Sequence, residues 1–293
     1  MPIIDVRAEI DIPIILLATD FSASSQLAAA YAKALAHRFS STVELTHIVD
    51  LSVAEASDST LIGMAIDERR REGKEGLERL TREFPKNRTQ IKEAEALSVP
   101  EAILASAHDS KADLIVMGTA SKHGFKKLIL GSTAESVIRR APCPVLPVGP
   151  HVAAPSHAPL AFQTIVYATD FSQQAAKAAA YAFSFAQDSG AHLYLCYVLG
   201  VHKPKDSEKL LLQASFERSL KQLIPPSAYD WCSPECVVEH GDSAEAILGL
   251  AERVHADLIV LGARKATFWL KYVETGLTPS ILAGAKCPVL TIC

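Results

Sequence analysis

The stretch IILLATDFSASSQLAAAYAKALA at residues 14–36 returns as TIVYATDFSQQAAKAAAYAFSFA at 164–186, 150 positions later. A repeat of this length means that one supersecondary plan is used twice, so the fold need only be read once. Further along, KADLIVMGTASK at 111–122 reappears as HADLIVLGARKA at 255–266, and APCPVLPV at 141–148 as AKCPVLTI at 285–292, now 144 positions apart. The second copy is therefore six residues shorter in its middle. Between the copies GPHVAAPSHAPLA, residues 149–161, carries three prolines and no apolar period, which reads as a linker. At 293 residues the chain suits two domains, predicted at 1–149 and 162–293 with a linker over 150–161.

Within each copy, short apolar β-rich runs alternate with longer helical patterns, as βαβ units require. Strands are expected at 13–18, 43–49, 90–96, 113–117 and 144–148, with helices at 22–39, 57–84, 99–109 and 132–140. In the second copy strands are expected at 163–168, 191–198, 235–239, 257–261 and 288–292, with the shortened connection around 205–222. Runs such as IILLA and DLIVMG are apolar at consecutive positions, so both faces of those strands are covered. The predicted class is α/β: two tandem doubly wound domains, each a five-stranded parallel sheet with helices on both faces.

In such a sheet, ligands bind beyond the carboxyl ends of the strands where the strand order reverses. Two loops leave those ends in the first copy. Asp20 follows IILLAT and leads into a helix capped by Ser22; Gly118 follows DLIVM and opens GTASKHGFKKLILGST, which ends at a helix start near Gly131 and Ser132. Backbone N–H groups of a glycine-containing loop and of a helix N-terminus bind phosphate oxygens, and Ser132 and Thr133 add hydroxyls. A Cβ at position 131 would push a phosphate away from the first helical amides. Asp20 would repel phosphate, which leaves a ribose hydroxyl, a metal ion carrying the phosphates, or an amide of its own turn as its partner.

The ATDFS after the first strand, ADLIVMGT, the LILGSTAESVIRRAPCPVLPV closing the first copy, and the tandem layout resemble the universal stress protein family over essentially the whole chain. The resemblance implies a five-stranded doubly wound domain with strand order 3-2-1-4-5 and, in the nucleotide-binding branch, the pattern G-x2-G-x9-G-[ST] for ATP. Here that pattern falls on Gly118, Ser121, Gly131 and Ser132, three matches of four. It implies Ala18, Thr19, Asp20 and Ile48 beside adenine and ribose, and Gly118, Thr119, Ser121, Lys122, His123, Gly124, Ser132 and Thr133 around ribose and phosphates, with ATP, optionally as its magnesium complex, as the ligand. Serine at 121 lacks glycine's freedom at positive φ, and Gly124 is placed to take up part of the turn. The second copy keeps Asp170, Val198 and Gly262, while aligning Cys287 with Cys143 puts Lys265, Thr275 and Gly276 at the remaining motif positions. Family domains pair through their last strands, so an internal pairing of the two copies is implied, with room for a homodimer.

Several plainer readings compete. Asp20 and Asp170 suit helix-cap or turn roles; His47 on its apolar strand suits a satisfied core histidine, since Tyr197 stands at its place in the second copy. The mixed-sign run RRREGKEGLERLTREF at 69–84 reads as a solvated helix. Cys232 and Cys236 have no second close pair to complete a zinc site. The net charge of −4 gives no basic face for nucleic acid. The start MPIIDVRAEIDIPIILLATD lacks the signal-peptide layout, and no apolar run approaches membrane-spanning length, so a cytoplasmic protein is expected. No catalytic constellation or P-loop occurs. The expectation is an ATP-binding regulatory protein acting on an unidentified protein partner; the rival is an interaction scaffold for proteins or apolar ligands with both sites degenerate, and an ATP-using transferase is a third reading.

Overall fold

The structure, a computed structural model, describes residues 10–51, 59–85, 89–119, 130–155, 160–200, 206–263 and 276–293. The chain divides into two compact units, one carrying residues 12–150 and the other residues 161–293.

In the first unit, β1 (Ile14–Ala18), β2 (Thr42–Asp50), β3 (Thr89–Ala96), β4 (Leu114–Gly118) and β5 (Val145–Val148) alternate with α1 (Ala23–Phe39), α2 (Ser59–Thr81), α3 (Val99–Asp109) and α4 (Ser132–Arg140). The strands are parallel in the order β3-β2-β1-β4-β5, with Ile15 beside Val43 on one flank and Leu114 on the other. The strand order turns back at the β1/β4 boundary, so the two loops singled out in the sequence leave adjacent strands. Ile15, Leu16, Leu17, Ile115 and Val116 are fully buried, as double-faced coverage of a central strand demands.

The second unit repeats the plan with β6 (Thr164–Ala168), β7 (His192–Leu199), β8 (Ser233–His240), β9 (Leu258–Gly262) and β10 (Val289–Ile292), and α5 (Gln173–Ser189), α6 (Asp206–Lys221), α7 (Ser243–Arg253) and α8 (Leu277–Gly284). Its order is β8-β7-β6-β9-β10, also parallel. A short 3-10 turn, Pro226–Asp230, precedes β8 and was not foreseen. The predicted helix over 57–84 ends at Thr81, and residues 82–84 form a turn.

Helix starts follow from the sequence. Ser22 and Ser172 cap α1 and α5 by accepting from the amides of Ser25 and Ala175. Asp242 caps α7 in the same way, accepting from Ala244 and Glu245. Among the described residues no helix is long and apolar enough to cross a membrane.

Candidate functional site

The turn after β1 is built by its own side chains. Asp20 Oδ1 accepts from the Ser22 amide at 3.0 Å and from the Ser22 hydroxyl at 2.5 Å, while Thr19 Oγ1 accepts from the Phe21 amide at 3.0 Å. These bonds hold Phe21 at φ 60°, a left-handed conformation that costs a bulky residue energy. The second unit copies this: Asp170 Oδ1 accepts from Ser172, Thr169 Oγ1 from Phe171, and Phe171 has φ 57°. Of the partners weighed for Asp20, the amide of its own turn is thus realised in both units.

His47, on β2, approaches the Thr19 carbonyl with Nδ1 at 2.9 Å. A carbonyl only accepts, so Nδ1 carries the proton in this contact. The imidazole also packs on Phe21, ring centroids 4.6 Å apart. This is the satisfied histidine the sequence favoured, although it lies half-buried on the wall of a cavity rather than in the core.

That cavity, about 1080 Å³, opens at the carboxyl ends of β1, β2 and β4. It lies just above the range of about 300–1,000 Å³ usual for small-molecule sites. It brings together Ala18, Thr19, Asp20, Ile48, Gly118, Thr119, Gly131, Ser132 and Thr133, the candidate residues of the first domain that lie among the described ones. Ser121, Lys122, His123 and Gly124 lie outside the described residues. Val99 and Ile103 of α3 and Met117 of β4 add apolar wall beside Ile48.

The two motif glycines have different physical causes. Gly118 is the last residue of β4, not a loop residue, and a Cβ there would lie 2.6–2.8 Å from the backbone of Ser24 and Ser25 and the Ser24 hydroxyl. Its glycine is required by the seating of α1 on the strand end. A Cβ on Gly262, at the end of β9, would lie 2.5 and 2.6 Å from Ala175 N and Gln174 C, so glycine is required there for the same reason. Gly131 is the N-cap of α4, at φ −60° and ψ 141°, and among the described residues a Cβ there would meet only the Thr119 carbonyl, at 3.4 Å. As glycine, it supplies no capping side chain. Amides of its first turn have no intrahelical partner, and Ser132, Thr133 and Ala134 line the cavity. With the positive end of the helix dipole there, the position suits an anion.

Reasoning from sequence missed the far wall. Arg69, Glu72, Gly73, Glu75 and Arg79 of α2 line the cavity, so the helix expected to be solvated and amphipathic turns one charged face to it. Arg69 donates to the Asp50 carbonyl at 2.7 Å, and Arg71 is held by Glu68 and Glu75 at 2.5 and 3.1 Å. A signal was present: Gly73 and Gly76 in a helix interior each cost about 1 kcal/mol relative to alanine, which asks for a packing reason.

In the second unit Asp170 and Gly262 hold the positions just described, and Val198 is a half-buried residue of β7. Where the sequence alignment put Thr275 at the third glycine, the N-cap of α8 is Gly276, because α8 starts one residue later than α4 relative to its end. Leu277 then stands where α4 has Ser132, whose hydroxyl is lost, while Thr278 stands where α4 has Thr133. Lys265 and Thr275 lie outside the described residues. Beside the turn, Tyr197 stacks on Phe216 of α6 at 4.1 Å and 14°, and Phe171 lies 5.2 Å from Tyr197.

The family model described as the universal stress protein family matches residues 12–149 and again 161–292. The chain belongs to the universal stress protein family. Both of its domains are of that type, in tandem. Universal stress protein MJ0531 of Methanocaldococcus jannaschii is 38% identical over 140 residues, covering 46% of this chain and 80% of the relative. Universal stress protein MJ0577 of the same organism is 30% identical over 150 residues, covering 46% and 93%. A universal stress protein structure from Archaeoglobus fulgidus DSM 4304 superposes with a TM-score of 0.70 over 95% of each chain at 20% identity, a likeness of fold.

Proposed function

We propose that this universal stress protein binds ATP in its first domain and works in the stress response as a regulatory protein whose contacts with a protein partner depend on nucleotide occupancy. The observation that carries this reading is the glycine-started N-terminus of α4 at Gly131, which lines one cavity together with the Thr19–Asp20 turn. The donor set fits the ligand. First-turn amides of α4 with the Ser132 and Thr133 hydroxyls suit phosphate oxygens, and Ala18, Ile48, Val99 and Ile103 suit the apolar faces of adenine. Asp20 suits a ribose hydroxyl or a magnesium ion carried on the phosphates. Ser121, Lys122, His123 and Gly124 complete the same reading, and a cytoplasmic location accords with it.

For the second domain the observations favour the scaffold reading. The rings of Phe171, Tyr197 and Phe216 pack together beside its turn, and Leu277 takes the place of Ser132 at the helix start. One nucleotide per chain is therefore expected.

The test is mass spectrometry of small molecules released on denaturing protein purified without added ligand. Adenine nucleotide at up to one per chain supports the reading. Protein that releases none, and that takes up none after incubation with millimolar ATP and magnesium, refutes it.

A further inference from the structure

The nucleotide motif accounts for neither Gly76 nor Phe21, yet the Phe21 ring lies in the space that a side chain at position 76 would need. A Cβ built on Gly76 would lie 2.5, 2.6 and 2.8 Å from three atoms of the Phe21 ring, closer than real side chains approach. The same ring packs on His47, at a centroid distance of 4.6 Å and a tilt of 36°, and His47 in turn donates to the Thr19 carbonyl. The ring thus lies against both Gly76 and His47, and its backbone is held at φ 60° by the Thr19 and Asp20 side chains. Gly76 thus sets how far the ring reaches toward α2, and the ring sets where the Thr19–Asp20–Phe21 turn lies.

The second domain supplies an internal comparison. The turns that close α2 and α6 correspond, LTREFP at 80–85 with LKQLIP at 220–225, with Leu80, Phe84, Leu220 and Ile224 all buried. Counting back four residues from Leu80 and from Leu220 reaches Gly76 and Phe216. Where α2 brings bare backbone against Phe21, α6 therefore brings a ring, which stacks on Tyr197 and lies 6.3 Å from Phe171. The same turn is braced in one domain by a helix backbone and in the other by an aromatic spacer. In the first domain the adjoining residues of α2, Glu72, Gly73, Glu75 and Arg79, line the cavity.

We infer that Gly76 is a positioning residue of the first-domain site, fixing the Thr19–Asp20 turn through Phe21 so that the cavity between that turn and α2 keeps its shape. This rests on the ATP reading only for its second measurement. Helix propensity alone favours alanine over glycine at position 76, so a loss on adding one methyl group is attributable to the contact.

The experiment compares wild type, Gly76→Ala, Phe21→Leu and the double variant, each as the full chain. In ligand-free protein, amide exchange at Phe21 and Ser22 is expected to accelerate about tenfold in Gly76→Ala and to return to within about twofold of the Phe21→Leu parent in the double variant. Titration with Mg-ATP is expected to follow the same order, about tenfold weaker in Gly76→Ala and regained in the double variant. Exchange at these amides unchanged by Gly76→Ala in a folded protein overturns the inference, as does a double variant no better than Gly76→Ala. Wild-type protein that binds no Mg-ATP refutes the function proposed above while the exchange arm still decides the role of Gly76.

Discussion

Gly118 and Gly131 are equal members of one sequence motif, but their surroundings assign them opposite roles. Gly118 is held to glycine by the protein itself, since a Cβ would meet the backbone of Ser24 and Ser25 at 2.6–2.7 Å. Gly118→Ala is expected to lower stability by about 1–3 kcal/mol, the usual cost of forcing atoms into a packed site, read from the urea midpoint. Among the described residues a Cβ at Gly131 would come no nearer than 3.4 Å, to the Thr119 carbonyl, and Gly131→Ala is expected to cost less than about 1 kcal/mol in the same assay. A Gly118→Ala protein as stable as wild type would contradict the packing argument. The recurrence of glycine at 262, in the domain with the poorer motif, is what a structural origin for this glycine leads one to expect.

At the scale of elements, α4 and α8 both begin on a glycine N-cap, whereas α1, α5 and α7 begin on a capping side chain. Gly131→Asp places a carboxylate beside the first-turn amides of α4. It is expected to raise stability by a few tenths of a kcal/mol while abolishing Mg-ATP binding, because the new carboxylate occupies the anion position. Calorimetric melting and a nucleotide titration of the same variant check both signs; retained binding would move the phosphates away from α4. Strand and helix placement was legible in the sequence because consecutive apolar runs and cap residues are local signals. The far wall of the site was not, because a charged helix reads as solvated whichever way its narrow face turns. Only the contact between Gly76 and Phe21, distant in sequence, gives the helical glycine its reason. The start of α8 escaped for a similar cause: an alignment anchored on Cys287 cannot see that the helix is one residue shorter.

Across the whole molecule the repeat made the two-domain plan readable, and the asymmetry between the copies is the functional content. The thiols follow the shared core rather than the site. Burial pushes Cys143, Cys196 and Cys287 up from an ordinary 9.0 to about 12, and Cys232 and Cys236 to about 11. Below pH 9 these thiols are protonated in both folded and unfolded chain, so their contribution to stability is complete. Above it the unfolded chain ionises first, and stability is expected to fall from pH 9 up to about 11–12. Urea midpoints across that range test the sign, and a midpoint that rises would refute it. The central claim, one nucleotide site per chain at the N-terminus of α4, is tested most directly by isothermal calorimetry with Mg-ATP on the intact protein. The account predicts a single site that survives Gly276→Val and disappears in Gly131→Val. No heat at millimolar ATP, two equivalent sites, or binding undiminished in Gly131→Val would contradict it.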